Sequence, residues 1–110
     1  MIAMNVNREE FEKLIQGDMP VLAEFWAPWC VYCRRIGPAL DHIAAKYHQK
    51  LITVKLNIDE VPELAESERI ELVPTLLIYR KGKDLGSIVA PDSGAMIEEL
   101  ISEVFRKEGL

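Results

Sequence analysis

Hydrophobic and polar positions fall in blocks along the chain, and each block has its own period. Ile2 to Val6 is short and largely apolar and reads as a strand. Asn7-Arg8-Glu9-Glu10 sets an amide at a helix start with a carboxylate three positions on, the pattern of a capping box. Phe11, Leu14 and Ile15 follow at helical spacing, and Gly17 ends that helix. From Pro20 to Ala27 apolar residues run almost unbroken, which suits a strand buried on both faces. Between Val31 and about His48, Cys33, Ile36, Leu40, Ile43, Ala44 and Tyr47 share one stripe of a long helix. Pro38 lies within it and is expected to kink it, because proline removes a backbone donor and crowds the preceding turn.

Leu51 to Ile58 is a second buried strand, and Asp59 is placed to cap a helix from Glu60 to about Glu68, with Pro62 in its first turn. Ile70 to Pro74 reads as a loop and Thr75 to Tyr79 as a third strand. Arg80 to Lys83 makes a hairpin turn, and Asp84 to Ala90 is the returning edge strand. Beyond Pro91-Asp92-Ser93-Gly94, the residues Met96, Ile97, Leu100, Ile101, Val104 and Phe105 give a last helix its apolar face. The order βαβαβαββα predicts an α/β fold with a mixed sheet of about five strands flanked by four helices. Early strands alternate with helices and are expected to be parallel, while the final hairpin supplies antiparallel pairing.

Length and composition narrow the possibilities. A chain of 110 residues is expected to form one domain over 1–110. Hydrophobic residues at 49% and charged residues at 28% suit a globular core, and with its surface spent on a covered sheet the chain is expected to be a monomer. A net charge of −5 without a long Lys/Arg cluster argues against a nucleic-acid partner. No apolar stretch reaches the ~18–20 residues of a membrane span. Met1 to Asn5 lacks a basic segment followed by a long apolar one, so the chain is expected to be cytoplasmic. In a reducing compartment, closely spaced cysteines point to catalysis or metal binding rather than to a structural staple.

The only two cysteines, Cys30 and Cys33, stand at the junction where Phe25-Trp26-Ala27-Pro28-Trp29 gives way to the long helix. Cys30 at a helix N-terminus meets unpaired backbone N–H groups and the positive end of the dipole, which favour a thiolate. Cys33 lies one turn further in, on the same face and within disulfide reach. Cys30 is therefore expected to be the exposed nucleophile and Cys33 the buried resolving thiol, exchanging a client disulfide through a mixed disulfide. Arg34 and Arg35 add positive charge nearby but are expected to contribute little. The plainer alternative is two buried cysteines that happen to lie close. Half of a zinc site is disfavoured, since there is no second Cys-x-x-Cys and His42 and His48 make no matching ligand pair; both read as solvated helix residues.

Glu24 is a lone acid within Leu22-Ala23-Glu24-Phe25-Trp26, where burial raises a carboxyl pKa. It is expected to lie beneath the cysteines and to move a proton for Cys33, with Lys55 of the next strand as its charge partner. The alternative has both residues reaching solvent at the sheet ends. Trp29 is expected to shield the site and touch clients, Trp26 to be core, and the acidic stretch from Asp59 to Glu71 to be a solvated face.

Phe25-Trp26-Ala27-Pro28-Trp29-Cys30-x-x-Cys33, the later Val73-Pro74-Thr75 and the whole element order resemble the thioredoxin family along essentially the full chain. The resemblance implies a protein-disulfide reductase that holds no bound cofactor beyond a redox-active Cys30–Cys33 disulfide and is recycled by a thioredoxin-reductase-type partner. It implies that Pro74 is a cis-proline facing the sulfurs, and that Val73 offers its backbone to an extended client. It places Trp29, Val31, Tyr32, Val73-Pro74 and the Ala90-Pro91 turn around the client groove. Lys55, Asn57-Ile58-Asp59 and Pro38 also match the family pattern. Four departures, covering five positions, set the chain apart from that pattern. Val31-Tyr32 stands where these proteins usually have Gly-Pro, Glu24 replaces Asp, Ala90 stands where Gly is common, and Arg34 replaces Lys. The dipeptide tunes thiolate stability, and its loss of proline predicts a potential somewhat less reducing than the thioredoxin value of about −270 mV. Two further readings stay open: a thiol oxidant or isomerase, and a thioredoxin-fold binding module with a dedicated redox partner.

Overall fold

A computed structural model describes residues 2–110. The elements in chain order are β1 (Met4–Asn5), α1 (Arg8–Ile15), β2 (Val21–Trp26), α2 (Val31–Lys46), β3 (Ile52–Asn57), α3 (Pro62–Ser67), β4 (Thr75–Arg80), β5 (Lys83–Val89) and α4 (Gly94–Glu108). They form a five-stranded sheet in the order β1-β3-β2-β4-β5. β1, β3 and β2 pair in parallel; β4 runs antiparallel to β2, and β5 antiparallel to β4. The mixed sheet with its antiparallel hairpin is the architecture the hydrophobic pattern predicts.

Alternation along the strands sorts the core into two layers. Leu22, Leu76 and Ile78 point to α2 and α4, where they meet Ile36, Leu40, Ile43, Ile97, Ile101 and Val104. Val21, Ala23, Phe25, Val54, Leu56 and Leu77 point the other way, onto Phe11 of α1 and Leu64 of α3. Phe11 meets Phe25 and Tyr79 edge-on, with centroids 6.1 and 5.2 Å apart. Glu24 belongs to the first face by this alternation, so it looks toward α2, the helix that carries Cys33.

The local signals hold in most places. Asn7 and Glu10 form the reciprocal capping box, with hydrogen bonds of 2.8 and 2.9 Å. Pro38 lies inside α2, which continues past it to Lys46. Other boundaries move. The opening strand shortens to Met4–Asn5 because only that stretch pairs with β3. Asp59 does not cap α3. The Asn57 side chain instead takes the Asp59 N–H, the turn runs on to Val61, and α3 starts at Pro62 without a side-chain cap. The hairpin turn narrows to Lys81-Gly82, both at positive φ (52° and 78°), so β5 begins at Lys83. It ends at Val89, because Ala90 swings to φ 46° and leaves the strand. Among the described residues no helix is long and apolar enough to cross a membrane.

Candidate active site

β2 ends at Trp26 and the chain turns through Ala27-Pro28-Trp29 before α2. The turn is held by a hydrogen bond from the Cys30 N–H to the Ala27 carbonyl at 3.1 Å. Cys30 occupies the N-cap of α2 with extended backbone, and its sulfur accepts the Cys33 N–H at 3.1 Å. A helix N–H thus points at this sulfur in the way a side-chain oxygen is held at an ordinary cap. The Cys30 thiol in turn donates to the Val73 carbonyl at 3.7 Å. Both cysteines are free thiols.

The expected contrast in exposure is absent: Cys30 is 8% exposed and Cys33 5%. Ala27 and the partly buried Trp26, Tyr32, Ile58 and Val73 close around both. The two thiols differ in chemistry instead. The Cys33 thiol is pushed up to about 12, first by burial, then by its hydrogen bond with Cys30 and the charges of Cys30 and Glu24.

Glu24 is 1% exposed, and its Oε2 has no hydrogen-bond partner among the described residues. Burial raises its pKa to about 7; Lys55 pulls it down and Asp41 of α2 pushes it up. The alternative of two residues reaching solvent at the sheet ends fails for this carboxylate. Lys55 sits opposite Glu24 in register and acts on it through space, yet the two form no ion pair. Its ammonium stands 4.7 Å from the ring centroid of Trp26, an arrangement that favours a cation over an aromatic face. Lys55 is therefore shared between the indole and the carboxylate. Trp26 is not core as expected. It is half-buried at the strand end, with its Nε1 donating to Asn5 Oδ1 at 3.1 Å.

Of the remaining predicted residues, Tyr32 and Val73 pack against the cysteines, and the others adjoin these by sequence or by a hydrogen bond. The Val73–Pro74 peptide is cis. Ala90 donates its N–H to the Pro74 carbonyl at 2.8 Å, which brings the Ala90-Pro91 turn against the cis-proline loop. Trp29 is exposed and its Nε1 donates to Asp59 Oδ1 at 3.3 Å. Val31 is exposed on the first turn of α2, and Tyr32 donates its hydroxyl to Asp92 Oδ1 at 3.0 Å. His42 and His48 are exposed, as expected of solvated helix residues. Among the described residues no group of three or more His, Cys, Asp or Glu is arranged to hold a metal ion.

Three acids near the site escaped the sequence reading in these roles. Asp59 was read as a helix cap and as part of the Asn57-Ile58-Asp59 match to the family pattern, not as the acceptor of Trp29. Asp41 lies eight residues after Cys33, a spacing that returns it to a similar side of α2. Asp92 carried no signal beyond its place after Pro91, because its partner is 60 positions away.

A cysteine pair at a helix N-terminus, a cis-proline loop across from it and a buried acid beneath it, on this mixed sheet, define a dithiol–disulfide oxidoreductase. Residues 2–103 match the family model for thioredoxin. Over 96 residues the chain is 38% identical to thioredoxin 1 of Nostoc sp., covering 87% of this chain and 86% of that one. It is 33% identical to the thioredoxin of Alicyclobacillus acidocaldarius, covering 94% and 98%. The crystal structure of Malassezia sympodialis thioredoxin superposes with a TM-score of 0.84 at 25% identity, over 92% of this chain and 89% of that one. The chain belongs to the thioredoxin family.

Proposed function

We propose that the chain is a monomeric, single-domain protein-disulfide reductase of a reducing, cytoplasmic compartment. It takes electron pairs from a thioredoxin-reductase-type partner and delivers them to client proteins through Cys30 and Cys33. The asymmetry of the two thiols carries this reading. The Cys30 sulfur receives a helix N–H, while the Cys33 thiol is pushed up to about 12 and keeps its proton.

Cys30 as thiolate attacks one sulfur of a client disulfide. A Cys30–client S–S bond forms, the client S–S bond breaks, and the departing client thiolate takes a proton from solvent. Cys33 then gives its proton to the Glu24 carboxylate, which titrates near neutrality and faces the same helix. The Cys33 thiolate attacks the Cys30 sulfur, the second client thiolate leaves and is protonated, and a Cys30–Cys33 disulfide remains. Two electrons have passed to the client, and the partner restores them with two protons. No bound cofactor is needed. The client backbone lies along Val73-Pro74 and Ala90-Pro91, flanked by the exposed Trp29 and Val31 and by Tyr32.

Cys30→Ser is expected to abolish reduction of insulin disulfides, and Cys33→Ser to accumulate mixed disulfides with clients. Turnover by the Cys30→Ser protein rules out the assigned order. Equilibration against a glutathione or NADPH couple separates this reading from a thiol oxidant, which requires a potential near the oxidising end of the family range, about −120 mV.

A further inference from the structure

The dipeptide between the cysteines makes a contact that the proposed reaction does not use. Tyr32 is half-buried there, and its hydroxyl reaches Asp92 in the loop before α4. This bond closes a circuit around the mouth of the site. The Cys33 N–H donates to the Cys30 sulfur, and the Cys30 thiol to the Val73 carbonyl. One peptide further on, the Pro74 carbonyl accepts the Ala90 N–H. Ala90 leads through the buried Pro91 to Asp92, whose carboxylate accepts the Tyr32 hydroxyl, and Tyr32 is bonded to Cys33. Dithiol turn, cis-proline loop and rim loop are thereby tied into one ring.

We propose that Tyr32 and Asp92 form a positioning strut that holds the rim loop Ala90-Pro91-Asp92 against the N-terminus of α2, so that the client surface and the sulfurs are presented together. Every other non-covalent link in the ring uses a backbone group. The strut alone is made by two side chains, and a Gly-Pro dipeptide at these positions has no hydroxyl to make it. Proline stiffens a turn from within by fixing φ. Here the turn is braced from outside, by a hydrogen bond to a segment distant in sequence. The brace matters most at Ala90, which holds φ 46° and hangs on the ring by one N–H. The bond joins two groups of this chain alone, so it holds the rim without help from a client and reduces the freedom lost on binding. The phenol of Tyr32 is held above its ordinary value, first by this bond to Asp92.

The strut rests on the reductase reading for its consequence but not for its existence, and two measurements keep these apart. Amide hydrogen exchange at Ala90 reads the ring directly. Tyr32→Phe and Asp92→Ala are each expected to speed it about three- to tenfold, the factor set by one modest hydrogen bond controlling a local opening. Asp92→Asn, which keeps the acceptor oxygen, stays close to the unaltered protein, and Tyr32→Phe/Asp92→Ala together exceed neither single variant. With insulin as client, the same variants raise KM by a similar factor while kcat changes less. Unchanged exchange at Ala90 in Tyr32→Phe, or effects that multiply in the double variant, overturn the strut. So does a fall in kcat with KM unmoved. If the unaltered protein does not reduce insulin, the reductase reading fails while the exchange measurement still decides the strut.

Discussion

The two faces of the sheet are built to different rules. On the α1/α3 face, Val21, Ala23 and Phe25 of β2 pack into an apolar layer, and the Tyr79 hydroxyl that reaches it is satisfied by Glu68. On the α2/α4 face the same strand presents Leu22, Glu24 and Trp26. Glu24 Oε2 is buried there without a partner among the described residues, and so is Thr53 Oγ1 beside Leu22 in register. A buried polar atom left unpaired costs about 1–3 kcal/mol. Both atoms lie on the face carrying the dithiol helix, which also holds the apolar core of Leu22, Leu76 and Ile78. The period-two alternation of β2 thus sets Glu24 on one face and only apolar side chains on the other.

The comparison breaks most severely at Phe25. Phe25→Ala removes a fully buried ring from the apolar layer and is expected to cost about 3–5 kcal/mol, read as a lowered denaturant midpoint. Glu24→Leu is expected to do the reverse at high pH. The folded-state pKa of Glu24 lies near 7, above its ordinary 4.5, so the native state binds the extra proton between these values. Stability contributed by the protonated form is present below about pH 4.5 and is lost as pH rises through 7, by about 3 kcal/mol in all. Glu24→Leu should flatten that dependence, gaining about 2–3 kcal/mol at pH 8 and little at pH 5, while slowing release of mixed disulfides. Chemical denaturation at the two pH values checks the first effect and single-turnover kinetics the second; equal gains at both pH values contradict the raised pKa. The smallest effect belongs to the exposed rim. Asp59→Ala removes the acceptor of Trp29 Nε1 and is expected to shift stability by no more than about 0.5 kcal/mol.

What the sequence made legible follows from how far each signal reaches. The capping box at Asn7 and Glu10 is complete within four positions and was read correctly. The stripe through Ile36, Leu40 and Ile43 states its own period, and the element order dictated the sheet. Cys30 and Cys33 carry their chemistry in their spacing, and the break in the apolar run of β2 exposed Glu24. Reasoning failed where a side chain had a choice of distant partners. Lys55 does act on Glu24 as a charge partner, and only its place over the Trp26 face went unread, since a long ammonium-bearing chain reaches that face as easily. Asp59 has the right type for a cap, yet the Asn57 side chain two residues earlier claimed the turn first. Cys30 is covered by Val73, 43 positions away, whose loop is carried to the sulfur by the pairing of β4 with β2.

Ala90 carries a last consequence, one for descent and engineering. A residue with a Cβ at φ 46° sits where glycine fits at no steric cost, so one substitution offers relief of local strain. The position also lies beside the cis-proline loop, at the rim we propose meets clients. Any lineage or library that accepts that relief alters the rim in the same step. Selection for a sturdier fold and selection for a choice of partners therefore act on one codon.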